Sequence, residues 1–503
     1  MTSHDMIANP DTPDYIPSQS LEDIKRNKER KALEEAIEKI NKDEGMNDFE
    51  KSKAIESFKH HGHYYKSHTE ILENDTQTTE LINSDDKPLT DKEKIDRIDL
   101  NHLPQERKEK VWRLFELHPD SVASSEFDCP QTDVVMDVEL KDGFDWDKTL
   151  NIRYNPVAPQ VAGEVSEMIR KMEQAGILTE CNKYTPIINN LLITRKKSGK
   201  IRVCFDNRNL NISVKRPHMV MTSTQEVFNK FSKADWVSSF DLQNAYFSCR
   251  IAESKIPLFS FFGPDKRRLA FTRAAQGFVG SASALETLMN KLTQDIGSIV
   301  TFADDLWICS RGSFDTHLEE IEKLLTNMEK MKVRAKAEKI CIAKETIEVI
   351  GMVYSRGSFH IPSIKANSIN QFKEPRNLRQ CRGFLATCNY FRRYVHKFAE
   401  ISLPIVELTR KTNTRFHWSI DAQTSFNLLK DRIMNSIAIY PPDFEKTFYA
   451  TADSSANCSS FSVYQLSDTK ETRWLGCSSR IFTASERNLG ATKGEAIGIG
   501  TGF

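Results

Sequence analysis

The eleven residues VTFADDLWICS (300–310) decide how the rest of the chain is read. Two carboxylates, Asp304 and Asp305, stand side by side between two apolar runs. Two like charges ~4 Å apart repel by about 4 kcal/mol at an effective dielectric of about 20. The flanking runs read as two buried strands of a hairpin with the acids at its tip. An Asp-Asp pair at a hairpin tip is also ordinary turn chemistry, so the neighbouring sequence has to decide. A third carboxylate, Asp241, lies in the apolar, β-rich stretch SFDLQNAYFSCRI (239–251). A buried carboxylate is costly unless a cation or hydrogen-bond donors compensate it. Three of them converging from a strand and a nearby turn suit Mg²⁺, a hard cation with oxygen ligands. Two such ions, ~3.5–4 Å apart, can hold both the attacking and the leaving oxygen of a phosphoryl transfer.

Outward from this stretch, the 503 residues carry equal numbers of acidic and basic side chains, 70 of each, unevenly distributed. Residues 1–150 hold 36 Asp+Glu against 21 Lys+Arg, and the remainder holds 34 against 49. Within 191–270 the balance is 15 basic to 6 acidic. A basic body behind an acidic leader suits a polyanionic partner, although scattered surface charge would give the same total. Ten cysteines show neither Cys-x-x-Cys nor zinc-knuckle spacing, which fits a reducing, intracellular compartment. No apolar run is long enough for a signal peptide or a membrane span.

The first 100 residues read as a largely disordered leader with one charged helix at 21–44. The histidine-rich HHGHYYKSH (60–68) lacks partners at ligand spacing and reads as no metal site. Helical periodicity marks 161–180, 281–297 and 314–331, and 365–435 reads as helical throughout. Strand patterns mark a hairpin across 186–206, a β-rich run at 236–251, a strand at 347–355 and a strand pair within 446–466. The alternation predicts an α+β fold.

In this order, the phrases LLITRKKSGKIRVCFDNRNLN (191–211), SFDLQNAYFSCRI, AAQGFVGSASALETLM (274–289), FADD and IGMVYS (350–355) resemble a reverse transcriptase. With FKEPRNLRQCRGFLATCNYFRRYVHKFAEISLPIVELTRK (372–411), the likeness narrows to gypsy-type long-terminal-repeat retrotransposons and retroviruses. The resemblance implies a right-hand polymerase of fingers, palm and thumb followed by a partial RNase H-like α/β domain. The implied boundaries are a leader at 1–100, a connecting segment at 101–160, fingers and palm at 161–358, thumb and connection helices at 359–440, and a truncated RNase H-like domain at 441–503. Asp241, Asp304 and Asp305 match the metal-binding palm aspartates, with Phe302 in place of the commoner Tyr. Lys196 and Arg202 match finger cations that close on a triphosphate, and Arg can bind two oxygens at once. Gln276 matches a residue lining the nucleotide pocket. Tyr246 matches the ring that rejects a 2′-hydroxyl, and Lys339 falls near a lysine that protonates the leaving pyrophosphate. Each also has a plainer reading: a solvated hairpin tip for the cations, an exposed loop for Gln276, core packing for Tyr246.

The implied activity is RNA-directed DNA polymerisation with two Mg²⁺, or Mn²⁺ as an alternative. Its partners would be an RNA or DNA template with primer and deoxynucleoside triphosphates, in the cytoplasm within a virus-like particle or in the nucleus, with no membrane. ATADSS (450–455) and SERNLGATKGEAIGIG (485–500) resemble the first strand and helix of ribonuclease H, with Asp453 and Glu495 as vestigial ligands. Ser and Cys replace the usual Gly-rich continuation after Asp453, and the sequence stops before the further Asp ligands. The expectation is therefore no useful RNA hydrolysis. Two readings compete with a polymerase: a catalytically decayed element fragment acting at most as a nucleic-acid-binding module, and an interaction scaffold working through the charged leader.

Overall fold

A computed structural model describes residues 88–144, 155–185, 187–195, 201–219, 222–410, 416–488 and 490–502. The helix expected at 21–44, the stretch 60–68 and Lys196 lie outside them. The described residues start at 88, ahead of the leader boundary expected at 100. Helix α1 (Asp91–Asp96) starts at Thr90, whose hydroxyl accepts from the Glu93 amide while the Glu93 carboxylate accepts from the Thr90 amide. Helix α2 (Gln105–Leu117) buries Val111, Leu114 and Phe115 at helical spacing. Strand β1 (Val135–Met136) then runs parallel to Arg250–Ile251. The segment expected to connect at 101–160 thus contributes Val111, Phe115, Val122 and Met136 to the same core as Phe240 and Leu306, the neighbours of Asp241 and Asp305.

Helix α3 (Pro159–Gln174) ends ahead of Gly176, whose φ of 66° only glycine adopts freely. It leads into β2 (Leu178–Glu180) and the antiparallel hairpin of β3 (Asn190–Arg195) and β4 (Ile201–Asp206). Two short helices follow, α4 (Arg208–Ser213) and α5 (Thr224–Lys230). Strand β5 (Trp236–Asp241) ends at the first carboxylate. The β-rich reading of 236–251 is corrected beyond that point: Asn244 turns left-handed (φ 45°), and α6 (Ala245–Ser248) carries Tyr246 on a helical turn before β6 (Arg250–Ile251). Strands β7 (Ser260–Phe262) and β8 (Arg268–Phe271) form a sheet with β2 in the order β2-β8-β7.

Helix α7 (Val279–Thr293) precedes the decisive hairpin, β9 (Ile299–Phe302) and β10 (Asp305–Ser310). The sheet order is β5-β10-β9. Strand β10 is apolar on both sides because it separates two cores. Leu306 and Ile308 face the core shared with α1–α3, while Trp307 and Cys309 face a second core built from the C-terminal helices. Behind the sheet, α8 (Phe314–Met331) buries His317, Ile321, Leu324, Leu325 and Met328, a single helical stripe.

The strand expected over 347–355 is instead a hairpin, β11 (Thr346–Val349) and β12 (Met352–Ser355). Its turn uses Ile350 and Gly351 at φ 47° and 68°. After β13 (Ser358–His360) come helices α9 (Ser363–Asn370), α10 (Leu378–Asn389), α11 (Phe398–Leu408) and α12 (Ile420–Met434). The last sheet has three strands, β14 (Tyr449–Ser454), β15 (Cys458–Leu466) and β16 (Thr472–Ile481), one more than the expected pair. Helix α13 (Ala491–Gly502) lies close against it: a Cβ on Gly494 would fall 2.8 Å from the Ser454 Oγ. No described helix is long and apolar enough to cross a membrane.

Candidate active site

Sheet register brings two of the three carboxylates together. Asp305, first residue of β10, pairs directly with Asp241, last residue of β5. Asp305 also pairs with Phe302 across a loop of only two residues, Ala303 and Asp304. The right-handed twist of a tight hairpin demands a positive φ in such a loop, and Ala303 adopts φ 55°. A left-handed non-glycine residue costs about 1–2 kcal/mol, so the loop that presents Asp304 is held under strain. Tyr246 on α6 faces the same spot. Burial, and then the Asp304 charge, raise its phenol above the ordinary range.

The carboxylates repel, as their placement requires. Burial first, then the Asp304 and Asp241 charges, push Asp305 up to about 6, against the pull of Lys339 and Lys336. Those lysines are the local counter-charge. Lys336 Nζ lies 2.6 Å from Asp241 Oδ1, and Lys339 Nζ lies 2.5 Å from Oδ2. Backbone pairing fixes this clamp. The Lys336 amide donates to the Asp241 carbonyl at 3.0 Å, and the Gln243 amide donates to the Arg334 carbonyl at 2.7 Å. Residues 121–123 brace the other side of the segment: the Ala335 amide donates to the Ser121 carbonyl and the Ala123 amide to the Ala335 carbonyl. A 3₁₀ turn over Ala337–Lys339 then aims both lysines at one carboxylate.

Asp241, Asp304, Asp305, Tyr246 and Lys339 thus gather at one end of the β5-β10-β9 sheet. Lys336 was not anticipated; its three-residue spacing from Lys339 is the only local signal for it. Gln276 lies in an exposed turn directly before α7. Arg202 sits on β4 opposite Thr194. In the C-terminal sheet, Asp453 on β14 pairs with Lys397 Nζ at 2.5 Å, which holds its pKa below the usual carboxylate range. Glu495 is exposed on α13.

Among the described residues, no three His, Cys, Asp or Glu side chains stand close enough, as they are, to hold a metal ion. The donor set around Asp241 nevertheless fits a hard cation: every donor is a carboxylate oxygen, and lysine ammonium groups occupy the places where positive charge is needed.

The same electrostatics predict a stabilising substitution. Asp305 titrates near 6 in the folded protein, above its unfolded value of about 3.9. Ionising it therefore destabilises the fold as pH rises from about 4 through 6. At pH 7, Asp305→Asn is expected to stabilise the metal-free protein by about 1–3 kcal/mol. Chemical denaturation in the presence of a chelator checks this, and an unchanged or lowered midpoint would contradict it.

Residues 194–354 match the family described as reverse transcriptase (RNA-dependent DNA polymerase). Residues 418–503 match the RNase H-like domain found in reverse transcriptase. The chain is 26% identical over 355 residues to the Gag-Pol polyprotein of avian reticuloendotheliosis virus, which covers 67% of this chain and 29% of the polyprotein. It is 26% identical over 313 residues to the feline leukemia virus Gag-Pol polyprotein, covering 59% and 18%. The chain therefore spans less than a third of these relatives. Its fold is similar to a foamy viral protease-reverse transcriptase dRH in complex with double-stranded DNA, with a TM-score of 0.73 at 17% identity, covering 87% of this chain and 75% of that one. It is also similar to a foamy viral protease-reverse transcriptase in complex with an RNA/DNA hybrid, with a TM-score of 0.70 at 15% identity, covering 86% and 57%. Fold, paired-carboxylate hairpin and both matches agree: residues 194–354 form a reverse transcriptase (RNA-dependent DNA polymerase) domain, followed over 418–503 by an RNase H-like domain of the kind found in reverse transcriptase.

Proposed function

We propose that this chain extends a primer on an RNA or DNA template, using deoxynucleoside triphosphates, with Asp241, Asp304 and Asp305 as the catalytic carboxylates. The observation that carries the reading is the direct pairing of Asp305 with Asp241, beside a strained two-residue loop that presents Asp304. Reverse transcriptases are generally dependent on divalent metal. In this reading the three carboxylates would hold two Mg²⁺, or Mn²⁺, ions that would lower the pKa of the primer 3′-hydroxyl and neutralise the triphosphate. That hydroxyl oxygen attacks the α-phosphorus and pyrophosphate leaves. Lys339 would give the departing pyrophosphate a proton. The Tyr246 ring would close the floor beneath the sugar and exclude a 2′-hydroxyl. Gln276 would line the nucleotide pocket, and Arg202 with Lys196 would bind the triphosphate.

Gypsy-type ancestry is part of the proposal, supported by the connecting phrase at 372–411. So is the division into fingers and palm (161–358), thumb and connection (359–440) and RNase H-like region (441–503). The template duplex of the foamy viral structures supports a nucleic-acid partner here. An intracellular setting, cytoplasmic or nuclear, is supported by free thiols at all ten cysteines.

Primer extension on an RNA template with Mg²⁺ tests the reading. Extension that stops when the metal is chelated is expected. Hybrid binding without any extension would favour a decayed, binding-only fragment instead. For the RNase H-like domain we propose inactivity, since Ser and Cys replace the usual Gly-rich continuation after Asp453. Hybrid RNA should survive incubation with Mg²⁺, and cleavage abolished by Asp453→Ala would overturn this.

A further inference from the structure

A carboxamide without a bonding partner among the described residues lies beneath the Gln276 turn. Asn207 joins β4 to α4 and is 1% exposed, yet among the described residues neither its Nδ2 nor its Oδ1 has a hydrogen-bond partner. It does not cap α4 with its side chain. Asn211, one helical turn on, is fully engaged: its Nδ2 donates to the Gly277 carbonyl at 2.9 Å, and its Oδ1 accepts from the Val279 amide at 2.9 Å. One short helix therefore grips the turn through one asparagine and keeps another idle beside it.

The turn rests directly on the idle one. Gly277 has φ +97°, and a Cβ there would stand 2.9 Å from the Phe205 carbonyl and 3.8 Å from Asn207 Nδ2. On its other flank the turn is tied to the helix that bears Tyr246. The Ala274 amide donates to the Cys249 carbonyl at 2.9 Å, and Arg273 Nη1 donates to the Phe247 carbonyl at 3.0 Å. A shift of this turn is thus felt on both sides: by Asn207 below and by α6 beside the catalytic carboxylates.

Buried amides without partners are rare and costly, and leucine would fill the same space without that cost. A ligand shifts a protein towards whichever state interacts better. We propose that Asn207 is a positioning residue for nucleotide binding. Its carboxamide bonds the backbone of the Gln276–Gly277 turn once an incoming deoxynucleoside triphosphate has loaded, so the cost of an idle amide belongs to the free enzyme alone. The inference rests on the polymerase reading above and deepens it.

The test uses the full chain with Asn207→Leu and Asn207→Ser on a poly(rA)–oligo(dT) primer–template with dTTP. The Leu variant should unfold at a higher temperature than the parent when free. In both variants the KM for dTTP should rise about tenfold, the worth of one relieved hydrogen bond, while kcat is retained. The rise in unfolding midpoint that dTTP gives the primer-bound parent should shrink in both. A more stable Leu variant with the parent's KM and the parent's dTTP-induced shift would overturn the proposal and leave Asn207 as a buried burden or a hydration site. Should the Leu variant not fold, the smaller Ser variant carries the same KM reading. A parent that extends no primer would strike the polymerase reading itself. The dTTP-induced shift, which needs no turnover, would still decide the role of Asn207.

Discussion

Asp304→Asn is expected to slow primer extension by at least about a thousandfold while barely moving the unfolding midpoint. The contrast follows from where the residue sits. Asp304 occupies the loop between β9 and β10 and takes no place in the strand ladder. Asn has the same shape and is at home in turns, so the hairpin closes as before. What disappears is one ionised oxygen at the point where Asp241 and Asp305 already meet. A hard cation binds amide oxygens far less well than carboxylates when it must also hold phosphate. Single-turnover extension beside thermal melting of the same samples separates the two effects. Activity within about tenfold of the parent, too small a loss for a metal ligand, would remove Asp304 from the catalytic set.

The second large effect is a loss of stability in acid caused by His317. This residue is fully buried on α8, with Nε2 2.7 Å from the Ser238 Oγ and Nδ1 2.6 Å from the Ser310 Oγ. Ser238 belongs to β5 and Ser310 to β10, so one imidazole ties the helix to both strands that carry Asp241 and Asp305. Burial pushes its pKa down to about 4, against an upward pull from Glu320. In the unfolded chain the group titrates near 6.5. Below that pH the unfolded state binds more protons than the folded one, so stability falls as pH drops from about 6.5 to 4. The full loss is about 3 kcal/mol. Asp305 works in the opposite sense over part of the same range, so the parent's raw pH profile mixes the two. The difference between the parent and His317→Gln isolates the histidine. The variant should be weaker at pH 7 and should lack the leg between pH 6.5 and 4. Parallel profiles would contradict the assignment.

What could be read in the sequence was what local pattern controls. The acids at the tip of 300–310 were legible because strands buried on both faces leave a continuous apolar run, and only a turn could hold two carboxylates there. The amphipathic stripe of α8 was legible for the same kind of reason. The helical turn that carries Tyr246 was not: YFSCRI favours a strand by composition, and a single left-handed Asn244 overrides it. The 350–351 turn hid inside an apolar run because Ile350, a β-branched residue, adopts a positive φ that its type disfavours. Long-range pairing was out of reach altogether. Nothing near Lys336 announces that its backbone pairs with Asp241, 95 positions earlier, or that residues 121–123 brace the pairing from behind. His317 carried no signal either, because its two serine partners are set by sheet geometry and not by spacing.

Strand β10 has a consequence for the whole machine. Its six residues form a party wall, with Leu306 and Ile308 belonging to one room and Trp307 and Cys309 to the other. Interiors are packed tightly enough to transmit strain instead of absorbing it. A change in the packing of the C-terminal helices, such as a cavity at Phe384, therefore arrives at Asp305 through a single layer of backbone. The two cores are in this sense mechanically inseparable, and neither could be loosened without disturbing the other.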